Sequence, residues 1–587
     1  MQTPVLEGLD SHNEKMQLDA FNKAHRSGGK GIGRMLGFGG KAESPEGQQV
    51  PLTIDDMLVF SDQPIPTSLL KHSSENASKG IKMFSAVLEY MGTNGEMLSQ
   101  VAGLEIAQKL LHQALKKTEL RDELFLQLVK QTRGCPSPAM RAKAWQLFFI
   151  TASCMPPTKD YLSMVSEYIH GVAHDDDEDD EVRTLAKNTW SAMKRTAKAG
   201  QRRTLPELTE LDSLLKGQMQ TCIVFFLDET FEELTYDPSM TVLEAVEHVA
   251  GQVKLQNYQT FSLFTVQKAS KSMADIGIPS VDEHVALDDN KYVSDVMYDI
   301  KQSKTKEGQS IKLIFKKKMF RETDETISEP RFVSLSYIQA QHDYISGQYP
   351  VIRDDASQMC ALQIQADHGP GLEAKEKEFE AAIEQYMVPS ILSSRPKNEW
   401  HTDIMTRYKA LAQFSKDDAR LQFLRIVRSM KYGNSIFFPV KRIEDPIGLL
   451  PAKLIIGINK RGVHFFRPVP KEYIQSAELR DIMQFGSSSN AVFFKMRVAG
   501  VLHIFQFESK QGEDICMALQ THINDIMMKR YSKAQAASGD GAGSGDPDAP
   551  AEANFGPKYQ AHIGELQRQL DEANDEIREK EQQISGL

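Results

Sequence analysis

Seven consecutive acidic residues run from Asp175 to Glu181, and the stretch after them to Pro206 has no acid and seven bases: Arg183, Lys187, Lys194, Arg195, Lys198, Arg202 and Arg203. Helical spacing puts Lys187, Lys194 and Lys198 near one stripe, by steps of seven and four, and lets Leu185 and Trp190 face a core. Several lysines acting together hold an acidic, flexible polymer by screened attraction without fixed geometry. The same residues also read as a solvated helix face whose charge the acidic run offsets. Lys116, Lys117 and Arg121 form a competing basic group on another helix.

Covalent chemistry has little to stand on. There is no H-E-x-x-H, no G-x-S-x-G, no paired H-R-D and D-F-G, and the 15 histidines are scattered, so no catalytic residue is assigned. The glycine-rich stretch SGGKGIGRMLGFGGK puts Leu36 where a G-x-G-x-x-G loop needs glycine, no strand precedes it, and no G-x-x-x-x-G-K-[ST] occurs. No cofactor is expected. Lys30, Arg34, Phe38 and Lys41 leave room for a basic-apolar tether in that stretch. The five cysteines stand far apart without a C-x-x-C, which excludes a zinc ribbon or disulfide framework and fits a reducing, cytoplasmic home.

The elements that position these residues follow from length and pattern. At about 150 residues per domain, 587 residues suggest roughly four domains. The net charge of −11 means that any polyanion must be met by a local patch, which argues against nucleic acid as a partner. No apolar run approaches the ~18 residues of a membrane span. Residues 1–47 read as a disordered glycine-rich arm and 48–215 as all-helical. Ile106, Leu110, Leu111, Leu115, Leu124 and Leu128 share one face, and Trp145, Leu147, Phe148 and Ile150 sit in a buried helix. The period then changes to two: CIVFFL and FEELTY form a hairpin, a Thr241-x-x-Glu244 capping box opens a helix, and 218–318 reads as a ubiquitin-like lobe. Residues 319–430 predict a bundle of four helices, and 431–533 predict an antiparallel, pleckstrin-homology-like barrel capped by one helix. A linker at 534–557 leads to 558–587, where Ile563, Leu566, Leu570, Ala573, Ile577 and Ile584 start a heptad interrupted by Lys580. The heptad is still running at Leu587, so a dimerising coiled coil and a longer protein are expected.

Three segments of the helical block, MLVFSDQPIPTSLLK (57–71), ELRDELFLQLVKQTRG (119–134) and AWQLFFITASCMPP (144–157), resemble the signature segments of the myosin tail homology 4 (MyTH4) domain. The lobe, bundle and barrel that follow resemble a FERM domain. The fold class expected is therefore multidomain α and α+β. Tandem followed by coiled coil, and the segment ESKQGEDICMALQTHINDIMMKRYSKA (508–534), resemble the plant and algal family of kinesin-like calmodulin-binding proteins with a C-terminal motor. That resemblance implies a non-motor tail that binds microtubules, whose tubulin tails are acidic, through the MyTH4 ridge. It also implies cargo held by the FERM lobes and an ATP-hydrolysing motor outside this chain. The alternative is a membrane-cytoskeleton FERM adaptor or a myosin-type cargo tail, with actin, membrane phosphoinositides or peptide cargo as partners. In membrane-linking FERM proteins basic residues near the ubiquitin-like lobe meet phosphoinositides; here the corresponding triplet is Lys316, Lys317 and Lys318, which also reads as a solvated strand end. Barrel lobes of this kind take peptides by strand addition, and the candidate edge is Asp481, Ile482, Met483, Gln484 and Phe485 unless a loop or neighbouring lobe covers it.

Overall fold

Periodicity of 3.6 residues gives way to period two, and the chain folds accordingly into helices, then strands, then helices, then strands. The structure, a computed structural model, describes residues 6, 14–27, 51–95, 98–267, 283–307, 310–348, 350, 353–468 and 472–538. The tether residues Lys30, Arg34, Phe38 and Lys41 and the heptad at 558–587 lie outside the described residues. Two units emerge: Met1–Val224 with Glu232–Val249 and Leu287–Lys312, and Phe225–Phe231 with Ala250–Ala286 and Leu313–Leu587. Residues 218–318, expected as one lobe, supply both.

Unit one begins with α1 (Leu18–Ser27), α2 (Ile54–Met57), α3 (Ser74–Met91), α4 (Gln100–Lys116) and α5 (Thr118–Thr132). It continues with α6 (Pro138–Ala152), α7 (Lys159–Ala173), α8 (Asp180–Ala199) and α9 (Leu208–Leu215). Strands β1 (Gln220–Phe225) and β2 (Phe231–Tyr236) and helices α10 (Val242–Gln252) and α11 (Val293–Glu307) follow. The glycine-rich arm needs correction at its start. Met16 and Phe21, inside the stretch expected to be structureless, are buried in the helical core, and the amide of Gln17 donates to the Leu69 carbonyl at 2.9 Å.

Helix α5 is buried almost all round, so its polar side chains serve the backbone of the segment around 57–71. Lys130 Nζ donates to the carbonyls of Met57 (2.9 Å) and Val59 (2.5 Å), and Arg133 Nη2 pairs with Asp55 Oδ1 at 2.7 Å. Glu123 accepts the amides of Leu69 and Leu70 at 2.9 Å each, and Gln131 exchanges two bonds with Ser61. The polar side chains of one signature segment (119–134) thus clamp the backbone of another (57–71), since a buried loop must satisfy its amides and carbonyls. Burial, with Arg133 adding to it, depresses the Lys130 ammonium to about 7.

Unit two holds β3 (Phe261–Gln267) paired antiparallel with β4 (Glu283–Ala286), and β5 (Ile311–Lys317). A helical lobe follows: α12 (Pro330–Ile345), α13 (Arg353–His368), α14 (Glu376–Tyr386), α15 (Pro389–Leu392), α16 (Lys397–Ala410) and α17 (Lys416–Ser429). The four-helix expectation misses α16, where Trp400, Ile404 and Tyr408 bury one narrow stripe of a mostly polar segment. Strands β6 (Ile436–Glu444), β7 (Lys453–Asn459), β8 (Gly462–Arg467), β9 (Glu472–Glu478), β10 (Ile482–Ser487), β11 (Ala491–Val498) and β12 (Val501–Glu508) form a sheet in the order β10-β11-β12-β6-β7-β8-β9. Helix α18 (Gly512–Ser538) packs on it through Ile515, Ala518 and Leu519 and extends into the stretch read as linker. The run KLIIGINKRGVHFFR is two strands. Gly462 makes their turn at φ 142°, and a Cβ there would sit 2.0 Å from the Ala477 carbonyl oxygen.

Candidate functional site: a basic helix face

Asp179 starts α8 by accepting the amides of Glu181 (3.0 Å) and Val182 (3.2 Å), which suits its charge to the positive helix end. Val182, Ala186, Ala192, Met193 and Thr196 are buried as α8 packs on α6 and α7. The opposite side exposes Lys187, Lys194 and Lys198, none of which has an ion-pair partner among the described residues. Lys194 Nζ lies 3.2 Å from the centroid of the partly buried Trp190 ring, a cation–π contact. His170 and His174, 4.1 Å apart by centroid, meet the same indole at 4.8 and 5.5 Å.

The arginines of the ridge are engaged elsewhere. Arg195 bonds Asp237 Oδ2 (2.8 Å), Ser239 Oγ (2.9 Å) and Glu244 Oε1 (3.1 Å). Arg202 is 1% exposed, pairing with Glu210 at 2.5 Å and Asp295 at 3.4 Å, while the amides of Arg203 and Thr204 also donate to Asp295. Arg203 Nη2 is 2.5 Å from Asp299 Oδ1, and Arg183 pairs with Asp180. The ridge is therefore corrected by the loss of buried Arg202 and of Arg195, which is held by three partners. Arg203 stays exposed in its pair with Asp299, and of the ridge's bases the three lysines alone have no ion-pair partner among the described residues. The planar guanidinium fork suits fixed carboxylates, whereas lysine stays hydrated at the surface. The acids that claim Arg195, Arg202 and Arg203 lie outside α8, so the helical spacing of the run did not announce them, whereas Asp180 holds Arg183 from one turn away on α8 itself.

The competing group disperses. Lys116 is exposed, Lys117 Nζ donates to Asn76 Oδ1 at 2.9 Å, and Arg121 Nη1 donates to Gln201 Oε1 at 2.6 Å. In unit two the triplet is not a solvated strand end. Lys317 is 3% exposed, bonds Asp324 Oδ2 at 2.6 Å and lies 4.4 Å from the Phe332 centroid. Lys316 covers the Phe264 ring at 4.6 Å, and Lys318 is half-buried. Burial lowers both the Lys316 and Lys317 ammonium groups, against the pull of Asp343 and Asp324. Strand β10, holding Ile482, Met483, Gln484 and Phe485, ends the sheet beside α18 and pairs with β11; Asp481 precedes it in a single 3-10 turn.

Family models match in the same order: the MyTH4 domain at 107–213, the RA like domain at 218–319, the FERM central domain at 322–438 and the PTB domain (IRS-1 type) at 438–527. The chain is 51% identical over 544 residues to the rice "Kinesin-like protein KIN-14I", covering 91% of this chain and 43% of the relative. It is 47% identical over 586 residues to the Arabidopsis "Kinesin-like protein KIN-14E", covering 97% and 46%. The chain thus spans less than half the length of these relatives. Among solved structures, the Dictyostelium myosin VII MyTH4-FERM MF1 domain superposes with TM-score 0.60 at 16% identity, covering 89% of this chain and 97% of that one. The human myosin 7b C-terminal MyTH4-FERM domain, solved with the harmonin-a PDZ3 domain, gives 0.54 at 19%, covering 83% and 99%. These two likenesses bear on the fold alone.

Proposed function

We propose, from the premise that this chain is a MyTH4-FERM tandem matching the tail of plant KIN-14 kinesin-like proteins, that it is the non-motor tail of a microtubule-based kinesin. Its microtubule contact is the α8 face of Lys187, Lys194 and Lys198, and the ATP-hydrolysing motor belongs to a part of the protein outside this chain. With a second microtubule held by that motor, the protein crosslinks or slides filaments. Peptide cargo adds a strand at the β10 edge beside α18. The reading rests on one observation: three exposed lysines stand on one helix face while the neighbouring arginines are bound to carboxylates.

A polyanion needs such mobile cations within a Debye length of about 8 Å, and the acidic whole does not cancel them at that range. Co-sedimentation with microtubules tests the reading. Lys187→Glu, Lys194→Glu and Lys198→Glu together should weaken binding at least about tenfold, salt should weaken it progressively, and proteolytic removal of the tubulin tails should reduce it. Binding that survives the triple change but falls with Lys116→Glu would move the contact to α4. Indifference to both would remove the filament from unit one.

A further inference from the structure

Thirteen large apolar side chains stand exposed among the described residues, and nine belong to the barrel and its helix. Several of these share one outer face. Ile482 opposite Met496 and Phe485 opposite Phe494 turn into the core, so period two sends Lys495, Arg497, Leu502 and Ile504 outward, with Lys495 opposite Ile504 and Arg497 opposite Leu502. Met483 joins them from β10, its Sδ 3.9 Å from Arg497 Nη2, and Ile443 stands exposed near the end of β6. Phe493 lies flat on Gly486, where a Cβ would come within 2.6 Å of the ring. Four adjacent strands are about 15 Å wide, enough for one helix of about 10 Å diameter. No carboxylate of the described residues pairs with Lys495 or Arg497. From Ile436 to Glu508 ten Lys or Arg face six Asp or Glu, although the chain as a whole is at −11.

We propose that this face docks the chain's own segment 558–587 as a helix, with Ile563, Leu566, Leu570 and Ile577 laid against Leu502, Ile504 and Met483. The charges are complementary. The segment has seven acids and four bases, and from Asp571 to Glu581 the ratio is six to two, opposite Lys495 and Arg497. The tether is long enough: α18 packs on the same sheet and ends at Ser538, and the residues from 539 to 557 span up to about 65 Å when extended. A tether of that length holds the segment at an effective concentration on the order of millimolar, so modest apolar burial suffices. The same stripe serves two-stranded pairing, so docking and dimerisation exclude each other.

Crosslinking the whole chain with an amine-reactive linker tests this, with isotope-labelled and unlabelled copies mixed to separate links within a copy from links between copies. Links between Lys495 and Lys580 of one copy are expected. Leu502→Glu with Ile504→Glu should cut their yield at least about tenfold, equivalent to about 1.4 kcal/mol. Leu566→Glu with Leu570→Glu, which leaves the barrel untouched, should do the same. Links that are missing, that persist in both double variants, or that join Lys580 to Lys580 between copies instead overturn the proposal. So does binding of phosphatidylserine vesicles that the Leu502/Ile504 change abolishes, because the face then belongs to lipid.

Discussion

Arg195 Nη1 lies 2.8 Å from Asp237 Oδ2, within unit one, although the sequence sets Arg195 in the same basic run as Lys194 and Lys198. A charge reversal at Arg195 therefore tests packing before it tests filament binding. Arg195→Glu places a third carboxylate beside Asp237 and Glu244. We expect a stability loss of about 1–3 kcal/mol in chemical denaturation, whereas reversing Lys194 and Lys198 leaves stability within about 0.5 kcal/mol. Equal losses would show that the lysines are not solvated.

Arg202 gives the larger effect. It is buried against Glu210 and Asp295, and Arg202→Ala leaves both carboxylates without their partner. Breaking a buried pair from one side costs about 3–5 kcal/mol. The urea midpoint should fall accordingly. Microtubule affinity, measured where the variant is still folded, should be unchanged, and a large affinity loss there would return Arg202 to the contact surface.

Trp190 should report ligand binding. Trp145 and Trp400 are fully buried, while Trp190 is partly exposed beneath Lys194 Nζ at 3.2 Å. Polyglutamate drawing Lys194 off the ring should change tryptophan emission, and Trp190→Phe should abolish the change. A signal that survives in the Phe variant would mean that the acidic ligand binds elsewhere.

Lys317 should matter for folding and not for lipid. Lys317→Ala leaves Asp324 buried without its ammonium, a loss of about 3–5 kcal/mol. Flotation with phosphoinositide vesicles should be insensitive to Lys318→Ala, and a marked loss of flotation there would reinstate the triplet as a head-group site.

The barrel should weaken in acid through His464. Its Nδ1 is 2.7 Å from Ser476 Oγ and its Nε2 is 2.9 Å from Asn459 Oδ1. Burial first, then Lys431 and Arg461, presses its pKa down to about 4. An unfolded imidazole titrates near 6.5, so between about 6.5 and 4 the unfolded chain holds a proton that the folded chain refuses. Stability should fall with falling pH across that window, by up to about 1.4 kcal/mol per unit for this group, and level off below it. His464→Gln should flatten that part of the profile in urea titrations at about pH 7 and about pH 5. An unchanged slope would assign the acid sensitivity to other groups.

Wherever one side of an element is apolar, the order of residues already carried the architecture. Ile106, Leu110 and Leu111 named a helix face, Phe494, Phe505 and Phe507 named strands, and the three signature segments named the MyTH4 domain. Helix α16 escaped because its stripe of Trp400, Ile404 and Tyr408 is one residue wide amid charge, and β9 because five of its seven residues are polar or alanine and only Ala477 is buried. Periodicity records the side that faces away from water, a local property.

Which cations remain available is not local. Arg195, Arg202 and Arg203 lost their freedom to Asp237, Asp295 and Asp299, on elements roughly 40 to 100 residues further along, and Lys317 lost its own when Asp324 and three phenyl rings closed over it. Charge type and spacing made all of these look alike in one dimension. A burying contact decides between a fixed ion pair and a hydrated, mobile cation, because the cost of desolvating a charge is tolerated only where a partner offsets it. That partner is supplied by folding, and it left Lys187, Lys194 and Lys198 as exposed cations with no ion-pair partner among the described residues.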